Sequence, residues 1–172
     1  MPGGGPRPGA GIGTVLFDSV YLAAEDVLKG REGRKALILI SDGVDYGSKI
    51  REAEAIQAAH RADTIIYSIR YYDSDAYPGG LGRRGPAADQ GSRGIAALEA
   101  LSRETGGRMQ EVSKKLTLEA IFGRIQEELR NQYSLGYTPP DAGGNEFRRI
   151  RLRTTDSRFE VVTRAGYYPR RP

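Results

Sequence analysis

The stretch Arg34–Asp45, RKALILISDGVD, constrains the fold of this chain more than any other. Five consecutive apolar residues, Ala36 to Ile40, are followed by Ser41, Asp42 and Gly43. A short unbroken apolar run is typical of a strand that is covered on both faces, as in a parallel sheet between two layers of helices. Ligands of open α/β sheets bind outside the carboxyl ends of the strands, which makes Asp42 a candidate oxygen ligand. The alternative is a simple turn after a core strand, with Gly43 allowing the sharp bend.

Composition excludes several classes of site. The chain of 172 residues has no Cys, which excludes disulfides, thiolate metal sites and a cysteine nucleophile. Its one histidine, His60, cannot form a multi-histidine zinc site. No apolar run is long enough to span a membrane. The first residues, MPGGGPRPGAG, lack the apolar segment of a signal peptide.

The net charge of +4 is concentrated near the end of the sequence. Residues 145–172 contain eight Arg and three acidic residues, which leaves a net charge of −1 for the rest. Arg149, Arg151 and Arg153 alternate with aliphatic residues, a pattern typical of the solvent face of a strand. A phosphate-binding role for these arginines is the alternative, but interleaved aromatic residues are missing, and we expect no nucleic acid partner.

The N-terminal part is predicted to be a linker followed by a helix. Residues 1–11 are rich in Gly and Pro and are predicted to be disordered. Apolar residues at helical spacing predict a helix over Val15–Leu28, with Gly30 just beyond its end. Thr14 lies in the loop that enters this helix, where its hydroxyl either caps the helix or faces a site.

The middle of the chain alternates between helices and strands. Period and length predict two further parallel strands, Thr64–Arg70 and Arg108–Val112, and three further helices, Ile50–Ala62, Gly94–Thr105 and Leu116–Arg130. Tyr71–Arg93 is predicted to be a mobile loop because Gly and Pro dominate its middle. His60, near the end of a helix, is expected to interact with the helix terminus rather than with a metal.

The last third changes to a period of two. It predicts a strand at Gln132–Tyr137 and a hairpin in which Phe147–Thr154 and Phe159–Ala165 flank the turn Thr155–Arg158. The predicted fold class is therefore α/β, a partial Rossmann-like parallel sheet flanked by helices, with a C-terminal antiparallel β extension. The predicted division is a linker at 1–11, an α/β unit at 12–131 and a β extension with a basic hairpin at 132–172.

Six segments carry a resemblance to a known family. GIGTVLFDSVYLA, GRKALILISDGVDYGS, LSRETGGRMQEV and LRNQYSLGYTP, followed by FRRIRLR and TRAGYYP, occur in an order that resembles the second half of a von Willebrand factor type A (VWA) domain, as in bacterial VWFA-related proteins. The resemblance covers about Gly11 to Pro169. It implies that 12–131 is the C-terminal half of a VWA-like domain, from a family that is usually exported. The chain itself leaves the compartment open.

The resemblance also implies a metal site. VWA domains hold Mg²⁺ at a metal-ion-dependent adhesion site (MIDAS) through an Asp-x-Ser-x-Ser motif, a Thr from a later loop and an Asp after the fourth strand. Thr14 matches that Thr and Asp42 matches that Asp. No Asp-x-Ser-x-Ser precedes Thr14, and the first three strands have no counterpart. The chain thus resembles an N-terminally truncated member, with an incomplete metal site and an unpaired apolar edge at Ala36–Ile40 through which it can self-associate.

These observations predict a binding module rather than an enzyme. Mg²⁺, held weakly by Thr14 and Asp42, would accept a carboxylate from a protein partner. The alternative is a Mg²⁺-dependent phosphoryl-transfer or hydrolytic enzyme of the doubly wound type. The sequence contains no G-x-x-x-x-G-K-[ST] loop, no G-x-S-x-G motif and no recognisable Ser/His/Asp set around His60. We therefore assign no catalytic residue.

Overall fold

A three-stranded parallel sheet forms the centre of the molecule. The structure, a computed structural model, describes residues 14–71, 86–139 and 144–169, with side chains from 90 onward in the second range. The strands are β1 (Lys35–Ser41), β2 (Thr64–Arg70) and β3 (Met109–Glu111), in the order β1-β2-β3. Lys35 lies opposite Thr64, and Ser68 opposite Met109. The predicted α/β class and the three parallel strands are confirmed.

In the part of the chain that the structure describes, four helices flank this sheet. They are α1 (Leu16–Leu22, continued by a π-helical segment, Ala23–Leu28), α2 (Glu52–Arg61), α3 (Pro86–Thr105) and α4 (Leu118–Arg130). Helix α3 begins well before the predicted Gly94, so the prediction of a loop over Tyr71–Arg93 is wrong from Pro86 onward. Proline is well suited to the first turn of a helix, where its missing N–H costs nothing. Residues 72–85 of that loop, and the predicted linker at 1–11, lie outside the described residues.

Helices cover both faces of the central strand β2. On one face, Ile66 packs with residues of α1, α2 and α3, namely Val20, Ala55, Ala59 and Leu101. On the other face, Tyr67 and Ile69 pack against Ile121 and Ile125 of α4. None of the helices in the described part of the chain combines the length and apolarity needed to cross a membrane.

Strand β1 is covered along one face, whereas its other face is covered only at Ala36, which packs against the cluster beneath α4. Leu37 and Leu39 pack against the core beneath α1 and α2. On the opposite face, Ile38 is 37% exposed and Ile40 is 50% exposed. The prediction that this run is buried on both faces is therefore wrong, because α4 lies over β2 and the described residues hydrogen-bond β1 only to β2. The predicted unpaired apolar edge is present in this part of the chain.

The C-terminal segment forms a separate two-stranded antiparallel sheet of β4 (Arg148–Arg149) and β5 (Gly166–Tyr167). Arg148 lies opposite Tyr167, and the Phe159 N–H donates to the Asp156 carbonyl at 3.2 Å, which places the turn one residue later than the predicted Thr155–Arg158. The ladder is shorter than predicted because the middle of the hairpin has no packed face: Leu152 is 43% exposed and Phe159 is 65% exposed.

The predicted strand at Gln132–Tyr137 is wrong. These residues join no sheet, and Tyr133 is 94% exposed and Leu135 70% exposed. Tyr137 is anchored through its hydroxyl, which lies 2.9 Å from the Tyr167 hydroxyl. Alternation alone did not make a strand here, because no sheet edge of the described residues pairs with this segment to complete its backbone hydrogen bonds.

The C-terminal segment docks beside the amino ends of β2 and β3. The Ala165 N–H donates to the Glu104 carbonyl at 2.9 Å. Arg164 forms an ion pair with Asp63, which immediately precedes β2. The His60 ring packs against Phe147, with centroids 5.1 Å apart. This contact was not predicted from the sequence, and it places the C-terminal sheet at the opposite end of the main sheet from Asp42.

His60 should make the docking of this segment sensitive to acid. Burial lowers the pKa of His60 below its ordinary 6.5, the positive charge of Arg164 lowers it further, and Glu104 opposes the shift only partly. The unfolded chain then binds a proton more readily than the folded one, so stability is fully retained above pH 6.5 and falls as the pH drops below it. Because the chain has a single histidine, one imidazole resonance in an NMR titration reports this pKa directly.

The matched control is His60→Leu, which keeps an apolar contact with Phe147 and removes the titrating group. We expect urea unfolding of this variant to lose the pH dependence between pH 5 and 7, while the parent loses stability over the same range. Equal pH dependence in both proteins would contradict the assignment.

Candidate functional site

Asp42 lies in a tight turn at the carboxyl end of β1. Its Oδ1 accepts a hydrogen bond from the Val44 N–H at 3.0 Å, and the Ser41 hydroxyl oxygen accepts one from the Gly43 N–H at 3.0 Å. Both turns fix the loop locally, as Asx and Ser turns do. Within the described residues, the Oδ2 of Asp42 has no hydrogen bond and stays available as a ligand.

The Thr14 segment lies against the loop that follows Asp42. The Tyr46 N–H donates to the Thr14 carbonyl at 2.9 Å, and the Thr14 side chain is exposed. In the described part of the chain, the Thr14 hydroxyl bonds to no other residue and does not cap α1. The structure therefore places Thr14 and Asp42 in two loops at the same end of the sheet, and a hydrogen bond joins the two loops.

Asp45 makes the main connection between these two loops. Its Oδ1 accepts hydrogen bonds from the Leu16 N–H at 2.8 Å and the Phe17 N–H at 3.4 Å, and its Oδ2 from the Ser48 N–H at 3.0 Å. Val15, at the N-cap position of α1, has no side-chain acceptor, so Asp45 satisfies the free N–H groups of the first turn. The sequence did not reveal this role, since the two partners are 29 residues apart.

The environment of Asp45 keeps its carboxylate ionised. Burial alone raises the pKa of Asp45, but hydrogen bonds from the side chain and backbone of Ser48, and from the backbone of Phe17 and Leu16, outweigh burial and lower it. The Ser48 hydroxyl oxygen also accepts from the Phe17 N–H at 3.1 Å and the Asp18 N–H at 3.2 Å. Asp45 and Ser48 are therefore used in holding the loop, and Asp42 is the carboxylate left for a ligand.

Helix α3 crosses directly over the Asp42 turn. Gly43 has φ +85°, and a Cβ at this residue would lie 2.2 Å from the Gly94 carbonyl oxygen. A Cβ at Gly94 would in turn lie 3.0 Å from the Asp42 carbonyl oxygen. The sequence predicted the turn at Gly43 but not the contact with Gly94, which packs one side of the candidate site.

A buried arginine occupies the neighbouring strand end. Arg70 lies opposite Ser41 in the register of β1 and β2, is 4% exposed, and forms an ion pair with Glu111 of β3 at 2.7 Å. The ion pair offsets the positive charge that Arg70 brings to this end of the sheet. In the sequence, Arg70 could have been noticed as a charged residue at the carboxyl end of a largely apolar strand. Ser41 and Asp42 occupy the corresponding position at the end of β1.

The donor chemistry fits a hard cation that is held weakly. A hydroxyl and a carboxylate are oxygen ligands of the kind that Mg²⁺ prefers. The described residues contain no group of three or more His, Cys, Asp or Glu side chains placed to hold a metal ion, so Thr14 and Asp42 would supply two protein oxygens at most.

Comparison with known proteins adds no relative to this picture. No protein-family model matches the sequence, and no curated protein or solved structure is significantly similar to it.

Proposed function

We propose that the carboxyl end of the main sheet is a protein-binding site in which a weakly held divalent cation, such as Mg²⁺, links Thr14 and Asp42 to a carboxylate of a partner. The observation that supports this most directly is the hydrogen bond from Tyr46 to Thr14, which joins the Thr14 loop to the loop that follows Asp42. The resemblance to VWA domains supports the same reading, and Thr14 and Asp42 are the residues that match its metal ligands.

The affinity of the proposed site for a cation depends in part on the partner. Two protein oxygens do not hold Mg²⁺ tightly, because the ion gives up its waters reluctantly. A bound cation would supply an open coordination position. The Val44 N–H holds the Oδ1 of Asp42, and within the described residues Oδ2 accepts no hydrogen bond and would face the cation. A partner's acidic side chain would then complete the set of oxygen ligands.

Asp42→Asn tests the site. Asparagine keeps the oxygen that accepts from Val44 and removes the charge, so the fold should be unchanged while affinity for Mg²⁺ and Mn²⁺ falls at least about tenfold. Titration calorimetry measures both, with Asp26→Asn, an exposed carboxylate in the π-helical segment, as the matched control. Adding an Asp-x-Ser-x-Ser segment upstream should tighten binding. If Asp42→Asn binds metal as well as the parent, Asp42 is only a turn residue and the proposal fails.

We also propose that the chain associates with itself through the open edge of β1. The support is the exposure of Ile38 and Ile40 on a strand whose described hydrogen-bond partner is β2 alone. Long, apolar edge strands favour pairing with another strand.

A further inference from the structure

The backbone of β1 presents a regular set of hydrogen-bonding groups at its open edge. The Tyr71 N–H donates to the Ser41 carbonyl at 3.2 Å, which shows that Ser41 points its backbone groups at β2. Since this direction alternates along a parallel strand, Lys35, Leu37 and Leu39 also bond toward β2. The N–H and C=O groups of the intervening residues, Ala36, Ile38 and Ile40, therefore point outward.

Nothing in the sequence of β1 blocks a second strand from adding there. Its seven residues, KALILIS, contain no proline, and Lys35 at the start is the only charged residue. Natural proteins usually protect an exposed edge with proline, a bulge or an inward-pointing charge. The edge is therefore suited to receive another strand along its whole length.

We propose that two copies of this chain pair β1 with β1 in antiparallel orientation about a twofold axis at Ile38. The proposal rests on the self-association described above and adds its register. Ile38 lies opposite Ile38 of the second copy, and Ala36 opposite Ile40, so outward-pointing groups meet outward-pointing groups and form about six hydrogen bonds. The two three-stranded sheets become one continuous sheet of six strands.

The side chains of the open face match this register. Ile38 and Ile40, which are 37% and 50% exposed, share one face with Ala36. Pairing about Ile38 lines these residues up with their equivalents in the second copy, so that the apolar stripe of each protomer continues into that of the other. Cross-strand contacts between such side chains are the main stabilising unit of antiparallel pairs.

The charges that flank β1 favour this register. Pairing about Ile38 places Arg34 opposite Asp42 of the second copy, and it does so twice because of the symmetry. Arg34 uses one N–H on the Leu129 carbonyl at 2.9 Å and is otherwise exposed, so further donors are available. A slip that puts Ile38 opposite Ala36 would instead bring Asp42 opposite Glu32, a repulsive pair.

Single cysteines test the register, because the chain has no cysteine of its own. In Ile38→Cys the two new thiols would lie across the axis with Cα atoms about 5.5 Å apart, within disulfide range. In Ile40→Cys the two Cα atoms would be about 14 Å apart, because each Ile40 is offset by four residues from its equivalent across the strands. After mild oxidation with diamide, non-reducing electrophoresis should show a disulfide-linked dimer for Ile38→Cys and at least about tenfold less for Ile40→Cys.

Sedimentation in EDTA tests the association itself without any metal. We expect the parent and Phe159→Lys, an exposed control in the hairpin, to dimerise alike. Ile38→Lys places two ammonium groups face to face and should weaken the dimer at least about tenfold. A parent that stays monomeric at high concentration would overturn self-association altogether. A dimer in which Ile40→Cys cross-links as readily as Ile38→Cys would overturn the register alone. Because EDTA is present, both results are obtained without metal and are separate from the calorimetric test of metal binding by Asp42.

Discussion

Gly107→Ala is expected to lower the free energy of unfolding by about 3 kcal/mol, the upper end of the usual cost of adding atoms to a packed core. A Cβ at Gly107 would lie 2.0 Å from the carbonyl oxygen of Ile66, on the central strand β2. Neither side can yield easily: Ile66 is fully buried, and the Gly107 N–H is held by the Ser102 carbonyl at 2.9 Å. Urea unfolding followed by circular dichroism measures the loss.

Gly123→Ala is the matched control for that experiment. Gly123 lies inside α4, and a Cβ there would meet nothing within 4 Å. Alanine is a better helix former than glycine, so this variant should be more stable than the parent by up to about 1 kcal/mol. The same substitution thus has opposite signs at the two positions. Equal effects would show that the loop after α3, which contains Gly107, does not approach strand β2 as closely as described.

Asp45→Ala is expected to lower the free energy of unfolding by about 2 kcal/mol, at the top of the range for loss of a helix cap. The substitution leaves the N–H groups of Leu16 and Phe17 without the Oδ1 acceptor and also releases Ser48. Since these bonds join the α1 loop to the loop after Asp42, Thr14 should lose its fixed position as well. Chemical unfolding measures the stability, and hydrogen exchange of the Leu16 amide measures the opening of the first turn.

The pH dependence of the Asp45 contribution follows from its lowered pKa. The folded protein keeps the carboxylate ionised to lower pH than the unfolded chain does, so the contribution is fully present well above 3.8 and is lost as the pH falls through the lower folded value. Asp45→Asn should show a flatter acid limb than the parent. Asp42→Asn affects only the hydrogen bond from the Val44 N–H, so it should lower the free energy of unfolding by less than about 0.5 kcal/mol. If Asp42→Asn proved the more damaging of the two, the loop would be held differently.

The sequence predicted a strand's environment correctly where the burial expected from its residue pattern matches its position in the sheet. β2 is rich in β-branched and aromatic residues, and it is buried on both faces, with Ile66 on one side and Ile69 on the other. β1 is an unbroken apolar run that predicts burial on both faces, yet its position at the sheet edge leaves Ile38 37% exposed. Position within a sheet depends on which strands lie alongside, and a local pattern does not contain that information. The same limit explains why Gln132–Tyr137 alternates without forming a strand.

The candidate site was predictable only in part for a related reason. Asp42 could be found because strand, turn and carboxylate are adjacent in the sequence. Asp45 could not be assigned, since its partners belong to a helix that precedes it, and Gly94 and Arg70 act across elements that only the fold brings together. Residues that work through distant partners leave no local signal, whereas turns and strand ends do.

The C-terminal sheet and the Asp42 loop lie at opposite ends of the same strands, which has a practical consequence for the orientation of the molecule. Asp63, which forms an ion pair with Arg164, lies at the amino end of β2. The seven residues of β2 place it about 23 Å from the carboxyl end of the sheet, where Asp42 lies. A protein attached to a surface through its C-terminal segment would therefore present Thr14 and Asp42 outward, toward whatever approaches from solution. The docking of one end thus sets the direction in which the other end faces.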